Sequence, residues 1–444
     1  GFRHQRDTLM NRTEIVAKHK EFLFPSVATF YTDPLPLTRG EAQHVWDVDG
    51  KQYLDFFGGI VTVGIGHCHP KVTARIAEQV RTLQHTSTFF PHEVTVQLAE
   101  KMAEIAPGAL SKTYFTNSGT EADETAVLLA RLHTGRTEII ALRHGYSGRS
   151  QTAMSLTAHA SWRLSPVTDP GVVHAHNAYC YRCAFEKTYP ECRLLCARDV
   201  EELIKTATSG KIAALIAEPI QGVGGFVTPP EDYLRELAAI VRAHGGLIIS
   251  DEVQTGFGRT GDHWFGVEHW GIEPDIITCA KAMANGTPVG ATVTTPEIAG
   301  AIKGPQISTF GGNPVTATAA LATIEVIEEE GLLANAAAMG RELASGLEQL
   351  KASHGIVGDV RGKGLMQAIE LVADKDSKQP LPAAMNALLE ATREHGLLIG
   401  KGGLHGNVVR LSPPLNIAKT DVDAAVDILD RSLAQVADTV SVGA

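Results

Sequence analysis

At 444 residues the chain exceeds what one compact core normally covers, so two domains are expected. Apolar residues at 44% and charged residues at 20% form an ordinary globular balance and exclude a disordered chain. A net charge of −11 without any basic run excludes nucleic acid and anionic membrane as partners, because neither attracts a negative field.

The opening residues 1–10 are polar and charged, with no apolar block behind them, so no secretory signal is expected. Residues 45–48 and 53–56 read as strands joined by a turn at Asp49-Gly50. The segment up to about Gly64 is expected to join the C-terminal part of the chain. Short β-branched runs at 137–142, 212–217, 246–250 and 275–280 alternate with helical patterns at 121–133 and 233–244, and Gly245-Gly246 stops the second helix. Buried runs alternating with helices predict an α/β fold whose mostly parallel sheet is covered on both faces. From about Thr316 the texture changes. A helix over 317–330 breaks at Gly331 and resumes towards Lys351, followed by strand-like 356–358 and 364–371, a helix over 382–395 and a closing helix from Thr420. The expected division is a large domain at 65–315 and a smaller α+β domain built from 1–64 and 316–444. The longest apolar stretches, such as 212–220, are interrupted by Glu218 and Pro219, far short of the about 20 residues of a membrane span. Six cysteines are too few for a disulfide scaffold, and a cytoplasmic enzyme is expected.

Three places carry chemistry when taken together. Asn117-Ser118-Gly119-Thr120-Glu121-Ala122 is a small turn at a helix start, where unpaired N–H groups and the helix dipole suit a phosphate. An ordinary N-cap by Ser118 is the plainer reading of that turn alone. Asp251 closes Ile248-Ile249-Ser250-Asp251 and brings a carboxylate to the end of a buried strand, where doubly wound sheets bind ligands. A helix cap or an ion pair with Arg259 is the plainer reading there. Lys281 follows the strand-like Asp275-Ile276-Ile277-Thr278-Cys279-Ala280, and a lysine in such a place is usually a solvated charge. The combination is what pyridoxal phosphate needs: a phosphate cradle, a carboxylate that keeps the pyridine nitrogen protonated, and a lysine that forms the imine.

Gly66-His67-Cys68-His69-Pro70, Ala217-Glu218-Pro219-Ile220-Gln221-Gly222, Asp251-Glu252-Val253-Gln254-Thr255-Gly256-Phe257-Gly258-Arg259, Thr309-Phe310-Gly311-Gly312-Asn313-Pro314 and Val409-Arg410-Leu411-Ser412-Pro413-Pro414 stand around these sites. With the turn at Asn117 and with Lys281, in this order and at these spacings, they make nearly the whole chain resemble the class III (omega) aminotransferases, of fold type I among pyridoxal-phosphate enzymes. The runs 54–63 and 358–366 bring it nearest to the alanine–glyoxylate (beta-aminoisobutyrate–pyruvate) branch and its phospholyase relatives. The resemblance implies a seven-stranded, mostly parallel sheet in the large domain. It implies that Ser118, Gly119 and Thr120 bind the cofactor phosphate, that Tyr146 and Val253 cover the two faces of its ring, and that Gln254 reaches its phenolic oxygen. Asp251 would pair with the ring nitrogen and Lys281 would carry the cofactor. Thr309 would reach the phosphate bound by the other subunit, which implies a homodimer or a dimer of dimers. Arg410 would bind the substrate carboxylate, and Glu218 would pair with Arg410 when no carboxylate is present. The chain departs from the family where Tyr146-Ser147-Gly148 replaces Tyr-His-Gly, and where Ala282 and Ala284 replace glycines after the lysine.

No metal site is expected: His67-Cys68-His69 lies in a family turn without a third ligand. Cys180, Cys183, Cys192 and Cys196 have a spacing compatible with zinc, with disulfides or with free thiols. The expected reaction is a ping-pong transamination in which a small amino acid or ω-amino acid gives its amino group to pyruvate or glyoxylate. A lyase that eliminates phosphate from a phosphorylated amine such as phosphoethanolamine is the main rival. It would need cationic groups at the entrance, where residues 56–63 and Phe89-Phe90 are apolar and only His85 and Arg149 are candidates. A nicotinamide dehydrogenase fails because Gly222 to Gly225 opens no helix after a strand.

Overall fold

The computed structural model describes residues 10–165 and 168–441, so the expectation about residues 1–10 falls almost wholly outside the described residues. The strands are β1 Leu37–Glu41, β2 His44–Asp47, β3 Gln52–Asp55, β4 Lys112–Thr116, β5 Ile139–Leu142, β6 Val172–Ala175, β7 Ala214–Ala217 and β8 Leu247–Asp251. They continue with β9 Ile276–Cys279, β10 Gly290–Thr294, β11 Val357–Lys363, β12 Met366–Leu371, β13 Leu397–Leu398, β14 Gly400–Gly402 and β15 Val408–Leu411.

Seven of them form one sheet in the order β4-β10-β9-β8-β7-β5-β6. Strands β6, β5, β7, β8 and β9 run parallel, and β10 is antiparallel to both its neighbours. Successive side chains of the parallel strands enter different cores, as a two-residue repeat requires. Ile140, Leu142, Leu215, Ile248 and Ile277 pack with Val200, Ile204, Leu237 and Val241 from the helices Leu195–Ala207 and Tyr233–Ala243. Ile139, Ala141, Ile216, Ile249 and Ile276 pack on the other face with Ala126, Leu129 and Ala130 from the helix Gly119–Thr134. Burial on both faces explains why these strands read as near-continuous apolar runs. Past β5 the chain goes outward to β6 and then returns to β7 on β5's other side, so a crevice opens between the loops that leave β5 and β7.

Two four-stranded sheets complete the fold, with orders β1-β2-β3-β13 and β11-β12-β15-β14. Strand β3 pairs in parallel with β13, so N-terminal strands share a sheet with a C-terminal one. The long helices Pro314–Glu329 and Leu332–Ser353 meet at Gly331, whose φ of +61° makes the break expected there. The sequence predicts no strand at 172–175 or 290–294 and only 356–358 of β11. Strand β10 is Gly-Ala-Thr-Val-Thr, buried at every position, so its small residues show neither an alternation nor an aliphatic run. Strand β6 is a four-residue edge strand carrying His174.

One buried carboxylate ties the last sheet to the segment behind β6. Glu370 on β12 is fully buried and accepts from the Tyr179 hydroxyl, from Arg182 Nε at 2.5 Å and from Arg361 on β11 at 2.8 Å. Burial alone would raise its pKa, but Arg361, Tyr179 and Arg182 outweigh it and hold the carboxyl below its ordinary range. A carboxyl depressed on folding contributes stability above its unfolded pKa, and that contribution is lost as the pH falls through the folded value. Glu370→Gln leaves Arg182 without a carboxylate and Arg361 with Asp359 alone, at 2.7 Å, and is expected to cost about 3–5 kcal/mol in urea unfolding at pH 7. The gap to the wild type should narrow as the pH drops below about 4.

Candidate active site

Five chain segments leave the same edge of the large sheet and line one cavity of about 310 Å³, at the small end of ligand pockets. After β4 come Asn117 to Thr120, after β5 Tyr146 to Gly148, after β7 Glu218, at the end of β8 Asp251 with Val253 and Gln254, and after β9 Lys281. Parallel strands share a direction, so their carboxyl ends collect these loops without further design. Strand register does the fine placement: Asp251 lies opposite Thr278, three residues before Lys281. Lys281 itself takes a left-handed φ of +46°, which turns the chain sharply off β9.

The helix start is built as the motif suggested. Ser118 caps it by accepting from the Glu121 N–H, and Glu121 in turn accepts from the Asn117 N–H at 2.7 Å. The first N–H groups of the helix, those of Gly119 and Thr120, have no partner within it and open on the cavity. A Cβ at Gly119 would come within 3.0 Å of Val253 Cγ2, so a side chain there would press on Val253. Gly148, at φ +134°, passes so close to Thr120 that a Cβ would lie 2.1 Å from its Oγ1. The cap and the cradle therefore coexist.

Acidic groups dominate the cavity. Burial pushes Asp251 up to about 6, opposed by the Val253 N–H that it accepts at 3.0 Å and by the charge of Lys281. Burial and the neighbouring Asp251 push Glu218 up to about 8, although it accepts from the N–H groups of Tyr146 and Gly222. Burial lowers the Lys281 ammonium, and Asp251 and Glu218 work against that shift. Asp123, which the sequence reading did not single out, also lines this cavity and is 1% exposed. An acidic residue near a helix start normally serves the dipole from the surface, so nothing in the sequence distinguished it.

Some expected partners are not where the sequence placed them. Arg259 donates to the carbonyls of Leu365 and Pro413, so it is not the counter-ion of Asp251. Arg410 on β15 does not pair with Glu218. Its Nε donates to the Lys401 carbonyl at 3.0 Å and its NH1 to the Gly222 carbonyl at 3.3 Å, while the rings of Phe57 and Phe226 flank its guanidinium at 5.5 and 5.6 Å. Backbone N–H donors already hold both Glu218 oxygens, and this satisfies the carboxylate without the arginine. Thr309 is exposed and is not among the residues that line this chain's cavity. Of the apolar segment 56–63, Thr62 lines the cavity, Phe57 stacks on Arg410, and Phe56 is fully buried in the core. The cysteines, including Cys180, Cys183, Cys192 and Cys196, are free thiols. Burial raises the pKa of Cys180 and pushes Cys196 up to about 12. Among the described residues no group of three or more His, Cys, Asp or Glu is arranged to hold a metal ion.

The cavity fits pyridoxal phosphate. Gln254 is 5% exposed, yet its Oε1 has no partner among the described residues, and a buried amide oxygen left so is costly unless a ligand completes its surroundings. Two unpaired helix N–H groups suit a phosphate, a carboxylate suits a protonated ring nitrogen, and an amine of depressed pKa suits an aldehyde.

Residues 27–433 match the family model of the class-III aminotransferases. A mitochondrial alanine–glyoxylate aminotransferase 2 homolog of Arabidopsis thaliana is 44% identical over 423 residues, which cover 95% of this chain and 87% of that protein. Mitochondrial alanine–glyoxylate aminotransferase 2 of Homo sapiens is 39% identical over 458 residues, covering 98% of this chain and 88% of its own length. Among solved structures, an (S)-enantioselective omega-transaminase from Thermomicrobium roseum superposes with a TM-score of 0.90 at 35% identity, over 96% of this chain and 99% of that one.

The contact between Gly148 and Thr120 makes the cradle testable. Gly148→Ala adds a Cβ at a positive φ and drives Thr120 aside. Strain of about 1–3 kcal/mol converts to roughly 5- to 150-fold weaker cofactor binding, read by titrating the cofactor-free protein. Affinity equal to the wild type would refute the cradle.

Proposed function

The chain belongs to the class-III aminotransferases, and we propose that it transfers the amino group of a small amino acid or ω-amino acid to pyruvate or glyoxylate. It is a pyridoxal-phosphate-dependent aminotransferase. The observation that carries the reading is Lys281 and Asp251 in one buried cavity with a helix start. The names of the relatives from Arabidopsis thaliana and Homo sapiens, which pair alanine with glyoxylate, support the choice of substrates.

Bound pyridoxal phosphate supplies an aldehyde that captures the substrate amine and a ring that accepts the electrons left when a proton leaves the substrate carbon. In our reading Ser118, Gly119 and Thr120 hold its phosphate, Tyr146 and Val253 cover its ring, and Gln254 reaches its phenolic oxygen. Asp251 holds a proton at the ring nitrogen. Lys281 Nζ anchors the cofactor and then moves protons, a task that its lowered pKa supports. Arg410 receives the substrate carboxylate, for which its flat fork is suited, and Glu218 lies beside it as a second, switchable charge. The reaction would run as ping-pong, the donor giving up its amino group and leaving as its oxo product before the acceptor enters. Phosphate elimination is not favoured, and Phe57 and Phe226 around Arg410 add apolar surface instead of phosphate donors.

The division into 65–315 and 1–64 with 316–444 is likewise a proposal, supported by the pairing of β3 with β13. So is the homodimer or dimer of dimers: Thr309 and Phe310 are exposed, as are Phe89 and Phe90, and this supports an interface at which Thr309 reaches a partner's phosphate. Free thiols support a reducing compartment, the cytoplasm in the sequence reading, whereas several relatives are named mitochondrial. Among the described residues no helix is long and apolar enough to cross a membrane.

The deciding experiment pairs β-alanine or alanine with pyruvate or glyoxylate and, separately, supplies phosphoethanolamine alone. Amino-acid formation that depends on the 2-oxo acid is expected. Release of phosphate and ammonia without any 2-oxo acid would overturn the reading. Arg410→Ala is expected to raise the KM for pyruvate by about 30- to 4000-fold, equivalent to about 2–5 kcal/mol for a lost buried pair. An amine donor that lacks a carboxylate should be far less affected.

A further inference from the structure

Asp123 has no place in the roles assigned so far, and its surroundings are unusual. It stands one turn into the helix Gly119–Thr134, 1% exposed, and lines the cavity with Asp251, Glu218 and Lys281. A ladder fixes it there: Asp251 on β8 lies opposite Thr278 on β9, Thr278 lies opposite Thr292 on β10, and the Thr292 hydroxyl donates at 2.8 Å to the carbonyl of Ala122. The Asp123 side chain meets that of Asp251, and its Oδ1 has no donor among the described residues. The charged groups that face it are Asp251 from β8 and Glu218 from behind β7, with Lys281 and the Cys279 thiol at the end of β9.

Two buried carboxyls in contact cannot both ionise, so one of them keeps a proton. Asp251 accepts the Val253 N–H and feels the charge of Lys281, and both favour its ionised form. Asp123 accepts no backbone N–H at Oδ1, and burial beside Asp251 outweighs the pull of the Thr278 hydroxyl and holds its carboxyl well above the ordinary range. We propose that Asp123 keeps a proton and donates it in a hydrogen bond to Asp251, acting as the positioning residue that holds Asp251 as an oriented carboxylate in the cavity. This deepens the cofactor reading and rests on it: an Asp251 fixed and ionised from behind is ready to meet a protonated ring nitrogen. It also sets an alkaline limit. Once Asp123 loses its proton, two negative carboxylates stand in contact, the hydrogen bond is gone, and Asp251 loses its orientation.

The test begins with the cofactor-free protein, so that it does not depend on turnover. Infrared difference spectra are expected to show a protonated carboxyl that persists above neutral pH and vanishes in Asp123→Asn. Glu218, which burial also raises, contributes a band of its own that vanishes in Glu218→Gln, and a spectrum that loses no protonated carboxyl in Asp123→Asn would overturn the proposal. Cofactor titrations then separate function from folding. Asp123→Asn keeps an N–H donor and cannot ionise, so it should bind pyridoxal phosphate within about threefold of the wild type at pH 7 and hold it at alkaline pH where the wild type releases it. Asp123→Ala should bind about 10- to 100-fold more weakly, the scale of a lost hydrogen bond to a charged group. Parallel pH profiles for wild type and Asp123→Asn, or an Asp123→Ala that binds as tightly as the wild type, would refute the role. Failure of the wild type to bind pyridoxal phosphate while the carboxyl band remains would instead count against the cofactor reading.

Discussion

Asp251 and Lys281 are opposite charges delivered to one crevice by neighbouring parallel strands, and each makes the burial of the other tolerable. Their meeting depends on backbone register. Because β8 and β9 run in the same direction and Asp251 lies opposite Thr278, the chain leaving β9 must pass the end of β8 three residues later. A one-residue slip would turn Asp251 into the core on one face and carry Lys281 off the edge. The apolar residues of β8 and β9, which alternate between two buried cores, prevent that slip, so the packing of the sheet is also what positions the charges.

How legible this was depended on whether a residue's signal is local. Asp251 and Lys281 each have a plainer reading alone, and they were legible because both follow β-branched runs that mark strand ends and stand together with the turn at Asn117. The cradle was legible because capping chemistry is written within four residues of Ser118. Strand β10 was not, since Gly-Ala-Thr-Val-Thr owes its place to neighbours on both sides and not to its own composition. Asp123 was invisible for the same reason: its partner is 128 positions away, and only the ladder through Thr278 and Thr292 brings the helix start over the strand ends.

The expected bond between Glu218 and Arg410 failed on hydrogen-bond accounting. A carboxylate needs partners, but nothing requires them to be cationic, and the turn that follows β7 brings the Gly222 N–H to within 2.8 Å of Oε2 while the Tyr146 N–H reaches Oε1. Arg410 is in turn held by carbonyls and aromatic faces, which orient its fork without neutralising it. A guanidinium kept in place by neutral groups retains its charge for an anionic ligand. One locked in an ion pair would first have to break it.

These arrangements cost stability, and the compensation lies elsewhere in the chain. Among the described residues Gln254 Oε1, Asp123 Oδ1 and Thr278 Oγ1 are buried without hydrogen-bond partners, and each such atom works against folding by about 1–3 kcal/mol. Behind the same strand end, Glu252 is satisfied by the hydroxyls of Ser250 and Thr255 and the N–H groups of Gly266 and Val267. Farther off, Glu370 gathers Tyr179, Arg182 and Arg361. The two kinds of buried acid differ in direction as well as in place. Glu370 is held below its ordinary pKa by cations, whereas Asp251 and Glu218 are held above theirs by burial. Acids of the first kind stabilise the fold as it stands. Lys281 offsets the burial of those of the second kind only in part, so the fold carries a charge requirement that is not fully met where its strand ends converge.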